Sequence, residues 1–265
     1  MVVLTQRHWP HPADSPDTRT TLRIVTNYSI PLARIARAQH HVGELQRALN
    51  AYRDSRPFRI EADYTDHGTV IERADNPAPV PGDLSLIVSD AVHQTRAALD
   101  NLVGALRERG PTGKTAFPVT LNAEDFEKAA EVSLKGVPGW AVEAIRRMQP
   151  FAEEPWQRHI GEQLRTLHDM ARFDRHRAPL LHSALVQIDY VEGKTVQMRG
   201  DWRTWAEVEY EPGQVDRTHF KVEVKFADGP LAGFEVIGGT QSLVRTAEAT
   251  IAQIRQLEWA RQAQG

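Results

Sequence analysis

The chain has 265 residues, of which 41% are hydrophobic and 25% are charged, and its formal net charge is -3 at pH 7. This composition is ordinary for a globular protein, and the charge gives no general attraction to nucleic acid or to an anionic membrane. The absence of cysteine excludes disulfides, thiolate catalysis, iron–sulfur clusters and cysteine zinc sites. No apolar stretch approaches the roughly 20 residues that span a bilayer. We therefore expect a cytoplasmic protein with no membrane partner.

The first two thirds of the chain carry mainly helical periodicity. Residues 1–29 are predicted to be a leader that includes a short edge strand at 21–27, and residues 30–182 a helical domain. Apolar residues recur at helical spacing in five segments, 32–53, 83–107, 123–134, 139–148 and 156–172. Between the first two helices, residues 58–64 and 69–73 alternate like the strands of a small β-hairpin.

The period of the pattern changes from 3.6 to 2 in residues 183–265. Five strands are predicted, at 185–191, 195–199, 206–210, 220–226 and 234–237. Short connections make their sheet antiparallel, and a last helix at 241–261 should cover its apolar face. The sequence thus predicts an α+β fold, with a helical bundle and hairpin followed by an antiparallel sheet and a final helix. The two regions can still share one core.

Three polar residues share one face of the helix predicted at 83–107. His93, Arg96 and Asp100 are spaced i, i+3 and i+7, at the border of the apolar face. A functional interpretation is a polar group of binding residues aimed into a cleft between helices. The structural alternative is an Arg96–Asp100 ion pair within the helix, with a histidine beside it.

A denser polar group follows at the end of the helix predicted at 156–172. Its members are His168, Asp169, Arg172, Asp174, Arg175, His176, Arg177 and His182. Histidine transfers protons near neutral pH, arginine holds phosphate, and aspartate orients histidine. Cations at a helix C-terminus also complement the helix dipole. That alternative explains the arginines better than it explains the aspartates.

A metal site is a weaker interpretation of the same residues. His168, Asp169, Asp174 and His176 are all suitable ligand types for a divalent cation. However, they contain no i, i+4 histidine pair such as the one in H-E-x-x-H. The sequence therefore predicts no cofactor.

Five short motifs in the middle of the chain form a recognisable series. They are Asp90-Ala-Val-His-Gln-Thr-Arg-Ala-Ala-Leu-Asp100, Phe117-Pro-Val119, Met148-Gln-Pro-Phe151, Leu164-x-x-Leu-His168 and Asp174-Arg-His-Arg177. Their order and spacing resemble a group of uncharacterised actinobacterial and phage-associated proteins with an R-x-x-L-D helix, an F-P-I turn, a Q-P-Y turn and a D-K-H-R box. The resemblance covers about residues 30–185 and implies no particular activity.

A more distant resemblance is to HEPN domains, helical bundles that are often metal-independent ribonucleases. Their signature is an arginine with a histidine four to six residues beyond it, which Arg175 and His182 resemble, although Pro179 interrupts the helix that normally carries both. Given the density of histidine, arginine and aspartate at this helix end, a ribonuclease of this kind would use His176 or His182 as general acid/base. Arg175 or Arg177 would hold the scissile phosphate, and Asp169 or Asp174 would orient a histidine. His93, Arg96, Asp100 and His168 are the predicted binding residues.

Three hypotheses about function follow. The first is a HEPN-like ribonuclease with RNA as its partner. The second is a non-enzymatic binding or interaction protein, in which Arg96, Asp100 and the residues 174–177 form a buried structural ion-pair network. The third is a metal-dependent hydrolase. A homodimer is compatible with each of them.

Overall fold

The computed structural model describes residues 26–75, 78–107, 115–175, 178–188, 197–200, 205–210 and 220–264. These ranges contain helices α1 to α6 and strands β1 to β6. In chain order they are α1 Ser29–Asp54, β1 Arg59–Tyr64, β2 Val70–Asp75, α2 Gly82–Leu106, α3 Ala123–Ser133, α4 Gly139–Arg147, α5 Pro155–Asp174, β3 Leu181–Ile188, β4 Gln197–Gly200, β5 Trp205–Tyr210, β6 Phe220–Phe226 and α6 Val236–Gln264.

The fold is α+β, as the change in periodicity predicts. Helices form wherever apolar residues recur at helical spacing, and the hairpin of β1 and β2 lies where alternation predicts it. The predicted edge strand at 21–27 falls almost entirely outside the described residues, and 26–28 are not a strand. One helix end matters for the site, because α5 continues past residue 172 to Asp174. The last carboxylate of α5 is therefore held on a regular helix.

The strands differ from the single C-terminal sheet expected from the sequence. They form a four-stranded sheet in the order β1-β2-β5-β4 and a separate pair, β3-β6. All the pairings are antiparallel, and the hairpin of the first region is thus joined to strands of the second. Alternation along a strand identifies its buried face but not its neighbour, because backbone hydrogen bonds are the same for any partner.

The predicted strand at 234–237 is instead the start of the last helix. Glu235 makes only an isolated bridge with Lys225, and α6 begins at Val236. The Glu235 carboxylate accepts a hydrogen bond from the Gly238 backbone N–H at 2.6 Å. A side-chain acceptor there satisfies one of the free N–H groups of the first helical turn, which explains the early start of α6.

The two predicted regions share one hydrophobic core. Buried residues from α1, α2, α5, β6 and α6 belong to a single cluster. On β6 the alternating Val222, Val224 and Phe226 are buried, and Phe226 approaches α6 so closely at Gly239 that a Cβ there would lie 3.1 Å from its ring. Among the described residues, none of the helices has both the length and the apolar character of a membrane crossing.

Candidate functional site

The polar face of α2 that carries His93 meets the end of α5. Asp174, in the last turn of α5, contacts Ser89 and His93, which lie in the first half of α2. Met170 and Leu167, earlier on α5, are buried in the same core as Leu99 and Leu102, later on α2. The polar residues of the two helices therefore meet along the edge of an apolar contact.

The contact between α2 and α5 includes a histidine–aspartate pair that reaches the surface. Asp174 Oδ2 lies 2.6 Å from His93 Nε2, and the Ser89 hydroxyl donates a hydrogen bond to Asp174 Oδ1. Only 5% of the Asp174 side chain is exposed, against 48% of the His93 side chain. A buried carboxylate is costly unless it is paired and hydrogen-bonded, and these two partners provide that. The result is a fixed carboxylate behind an imidazole that reaches solvent.

The order of the three residues excludes a serine-nucleophile triad. In such a triad the histidine lies between serine and aspartate, because it must remove the proton of the serine hydroxyl. Here Asp174 lies between Ser89 and His93, and the Ser89 hydroxyl also lies 3.0 Å from the Ser85 carbonyl oxygen. Ser89 therefore orients Asp174, and the chemistry that remains available to His93 is general acid–base catalysis.

Further along α2, Arg96 and Asp100 bind the backbone of Phe117, which precedes α3. Arg96 Nη2 donates to the Phe117 carbonyl oxygen at 2.6 Å and lies 2.9 Å from Asp100 Oδ1. The Phe117 N–H donates to the same Asp100 oxygen at 2.8 Å. Arg96 is 8% exposed. The pair is thus a clamp on the backbone of Phe117, and not only an ion pair on a helix surface.

Gln149 holds the next residues of the same segment. Its side chain is fully buried, and its amide nitrogen donates to the carbonyl oxygens of Pro118 and Ile145 at 3.0 and 3.1 Å. Its amide oxygen accepts from the Thr120 N–H at 3.0 Å. The turn also packs on α5, where a Cβ at Gly161 would lie 2.3 Å from the Gln149 carbonyl carbon. The R-x-x-L-D, F-P-V and Q-P-F motifs therefore meet in one buried polar network.

His168 lies within electrostatic range of the same cations. Burial lowers its pKa, the positive charges of Arg96 and Arg175 lower it further, and Asp169 opposes them. Burial also lowers the pKa of Arg96, which Asp100 opposes and Arg175 reinforces. Its burial and the nearby cations therefore both hold His168 toward its neutral form.

The remaining predicted site residues are more scattered. Asp169 is partly exposed and lies 3.6 Å from Arg165 on its own helix, and its orientation of a histidine stays a prediction. Arg175 is the C-cap of α5, whereas His182 lies in β3 opposite Lys225. The arginine and histidine of the HEPN-like signature are thus on different elements. His176 and Arg177 lie outside the described residues.

The described residues contain no group of three or more histidine, aspartate or glutamate side chains placed to hold a metal ion. Of the proposed ligands, His168 and Asp169 lie on α5 before Asp174, whose two oxygens already contact Ser89 and His93. The fourth, His176, is not described.

Two residues that hold these contacts, Ser89 and Gln149, were not among the predicted site residues. Ser89 precedes His93 by four residues on α2, so helical spacing would place it on the same face. Gln149 was recognised only as part of a motif, and its role depends on a turn that brings it to residues 117–120.

The chain matches no protein-family model, no curated protein and no solved structure.

Proposed function

We propose that the protein is a HEPN-like, metal-independent ribonuclease in which His93 is the general base and Asp174 orients it. The observation that carries the proposal is the nearly buried Asp174 carboxylate, which is shared between Ser89 and the half-exposed His93. This assigns the proton transfer to a histidine of α2. As the sequence predicts, Asp174 orients a histidine and Arg175 holds the phosphate. Its cysteine-free composition suits a cytoplasmic location.

The contact with Asp174 supports Nδ1 of His93 as the atom that accepts the proton. The hydrogen bond between Nε2 of His93 and Asp174 leaves Nδ1 as the ring nitrogen that can accept a proton. A carboxylate behind the ring stabilises the imidazolium that then forms. Because the His93 side chain is half exposed, a large substrate such as an RNA strand can approach it from solvent.

RNA itself can supply the nucleophile for this chemistry. In the proposed step, Nδ1 of His93 takes the proton of a 2′-hydroxyl, whose oxygen attacks the adjacent phosphorus. The bond from phosphorus to the 5′ oxygen breaks, the leaving oxygen takes a proton from water, and a 2′,3′-cyclic phosphate remains. Arg175, which directly follows Asp174 on the chain, is proposed to hold the phosphate oxygens.

The test is incubation of the purified full chain with RNA and with DNA of the same sequence, each with and without a chelator. We expect cleavage of RNA alone, unchanged by the chelator, and a loss of at least ~100-fold in His93→Gln. His159→Gln is the matched control, because His159 is an exposed histidine on α5. Equal rates in His93→Gln and wild type, or no RNA cleavage, would overturn the proposal. Loss of cleavage with the chelator would favour the metal-dependent hydrolase.

The second candidate is a non-enzymatic binding protein, which the Arg96–Asp100 clamp favours. That clamp contacts backbone at Phe117 and needs no substrate to explain it. If this candidate is correct, substitutions at Asp100 and Asp174 lower the melting temperature while no RNA is cleaved by the wild type under either condition.

A further inference from the structure

Strand β1 lies at the edge of the four-stranded sheet. In the order β1-β2-β5-β4, and among the strands that the structure describes, it pairs with β2 alone. All six of its residues are exposed. An edge strand presents a row of unpaired backbone groups, to which a further strand can be added. Within the described part of the chain, β1 therefore has one open side.

The hairpin that joins β1 to β2 identifies which residues direct their backbone groups to this open side. The Thr65 N–H donates to the Thr69 carbonyl oxygen at 2.9 Å, where β1 turns into β2. In an antiparallel pair, residues that bond to the neighbouring strand alternate with residues that do not. Counting back in twos from Thr65, the residues between are Ile60, Ala62 and Tyr64, whose N–H and C=O groups point away from β2.

The same three residues form an apolar strip that continues a buried face of the sheet. Phe58, just before β1, packs against the core, and Ala74 of β2, which lies opposite Ile60, is fully buried. Exposure then increases along β1, to 49% at Ile60 and 78% at Tyr64. Because side chains two residues apart share a face of a strand, the described core ends partway along one apolar strip.

The opposite face of β1 is charged, with an acidic excess. Its residues are Arg59, Glu61 and Asp63. Glu61 lies opposite Arg73 of β2, so the signs alternate across this pair as they do in stable sheets. A strand added outside β1 would extend this alternation if it placed basic residues opposite Glu61 and Asp63.

A second copy of β1 fits this edge poorly. When two β1 strands pair antiparallel with their apolar faces on the same side, every register that overlaps most of the strand has the same fault. It places Glu61 opposite either Glu61 or Asp63 of the second copy. Like charges directly opposite one another are destabilising. The charge pattern therefore favours a different strand with basic residues at these positions.

We propose that the open edge of β1 is a docking site for an extended protein segment in which apolar and basic residues alternate. The segment adds to the sheet as a further strand and bonds to the backbone of Ile60, Ala62 and Tyr64. Its apolar residues cover the exposed strip, and its basic residues lie opposite Glu61 and Asp63. The site goes beyond the proposed RNA cleavage and does not depend on it.

The test is titration of the full chain, followed by fluorescence anisotropy, with a labelled peptide whose central sequence is Val-Lys-Val-Lys-Val. One reference peptide, Val-Glu-Val-Glu-Val, reverses the charges. The other, Lys-Lys-Val-Val-Val, keeps the composition and loses the alternation. We expect the alternating basic peptide to bind at least ~10-fold more tightly than either reference.

Two variants separate the backbone contribution from the charge. Ala62→Pro removes one outward N–H and leaves the hydrogen bonds between β1 and β2 in place, so we expect binding to weaken at least ~10-fold. Glu61→Lys should weaken binding of the basic peptide and strengthen binding of the charge-reversed one. Glu131→Lys is the matched control, because it makes the same charge change at an exposed position on α3. Circular dichroism confirms that each variant is folded.

Each outcome decides the proposal. Preferential binding of the alternating basic peptide that is weakened by Glu61→Lys and unaffected by Glu131→Lys supports the docking site. If Ala62→Pro does not fold, the peptide preference of Glu61→Lys decides alone. Equal affinities for the alternating and rearranged basic peptides, or equal effects of Glu61→Lys and Glu131→Lys, overturn it. A wild type that is dimeric by light scattering while Ala62→Pro is monomeric assigns the edge to a second copy, and so overturns the proposed partner.

Discussion

Two groups on the same face of α2, one turn apart, contain similar residues and end in different environments. Ser89 and His93 meet the Asp174 carboxylate, and the imidazole stays half exposed. Arg96 and Asp100 close on the backbone of Phe117, and Arg96 is buried. In both groups a carboxylate contacts two donors, but the first group pairs it with a half-exposed imidazole and the second with a buried guanidinium.

The difference shows that the partner decides the role of a polar residue. The Arg96–Asp100 pair binds backbone at Phe117, so we expect it to contribute mainly to stability. A side-chain pair with one exposed member can transfer protons. The predictions below test whether the Arg96–Asp100 clamp is structural and the His93–Asp174 pair functional, from the largest expected effect to the smallest.

The largest effect is expected from Asp100→Ala. The substitution leaves the buried Arg96 guanidinium without its counter-charge and the Phe117 N–H without an acceptor. We expect a loss of about 3–4 kcal/mol in the free energy of unfolding, toward the lower end for a broken buried pair because a third of the Asp100 side chain is exposed. Urea denaturation measures it. Glu143→Ala, which breaks an exposed pair on α4, should cost less than about 1 kcal/mol.

Gly161→Ala tests how tightly the Q-P-F turn packs on α5. The new Cβ would lie 2.3 Å from the Gln149 carbonyl carbon, and backbone cannot give way cheaply, so we expect a loss of about 1–3 kcal/mol. Gly104→Ala on α2 is the control, because nothing lies within 4 Å of its Cβ position. That variant should gain up to about 1 kcal/mol from helix propensity. Equal stability of the two variants would contradict the proposed packing.

Ser89→Ala tests whether Ser89 holds the Asp174 carboxylate in place for His93. It removes the hydroxyl that donates to Asp174, so we expect a loss of about 1–2 kcal/mol in stability because a buried acceptor loses a donor. If His93 is the base, RNA cleavage should also fall, because the carboxylate is less firmly held. Ser85→Ala keeps the backbone carbonyl that Ser89 contacts and should change neither quantity. Unchanged cleavage in Ser89→Ala would remove Ser89 from the site.

The smallest effect is the pH dependence caused by His168. Its pKa in the folded protein is lowered from 6.5 by burial and by the cations around it. The unfolded chain therefore binds more protons below about pH 6.5, and stability falls as the pH drops through that value toward the lowered pKa. His168→Gln should flatten the melting temperature between about pH 5 and 7. A profile identical to that of the wild type would contradict the position assigned to His168.

Helical spacing places His93, Arg96 and Asp100 on one face of α2, because residues three and four apart share one helix face. It did not distinguish an ion pair within α2 from the clamp on Phe117, since the segment 117–120 is placed by tertiary packing. Gln149 was recognised only as a motif for the same reason. Asp169 and Asp174 looked equivalent on the chain, and only the packing of α5 against α2 directs Asp174 inward.

The sequence by itself determined the α+β class, the five N-terminal helices, the hairpin and the alternation of β6, because hydrophobic periodicity reports which face of each element is buried. Only the tertiary structure decided that β2 pairs with β5 and that both regions share one core. It also decided which polar residues of α2 stay open to solvent. All of these depend on contacts between segments that are distant in the chain, and such contacts are determined by tertiary packing rather than by the local sequence pattern.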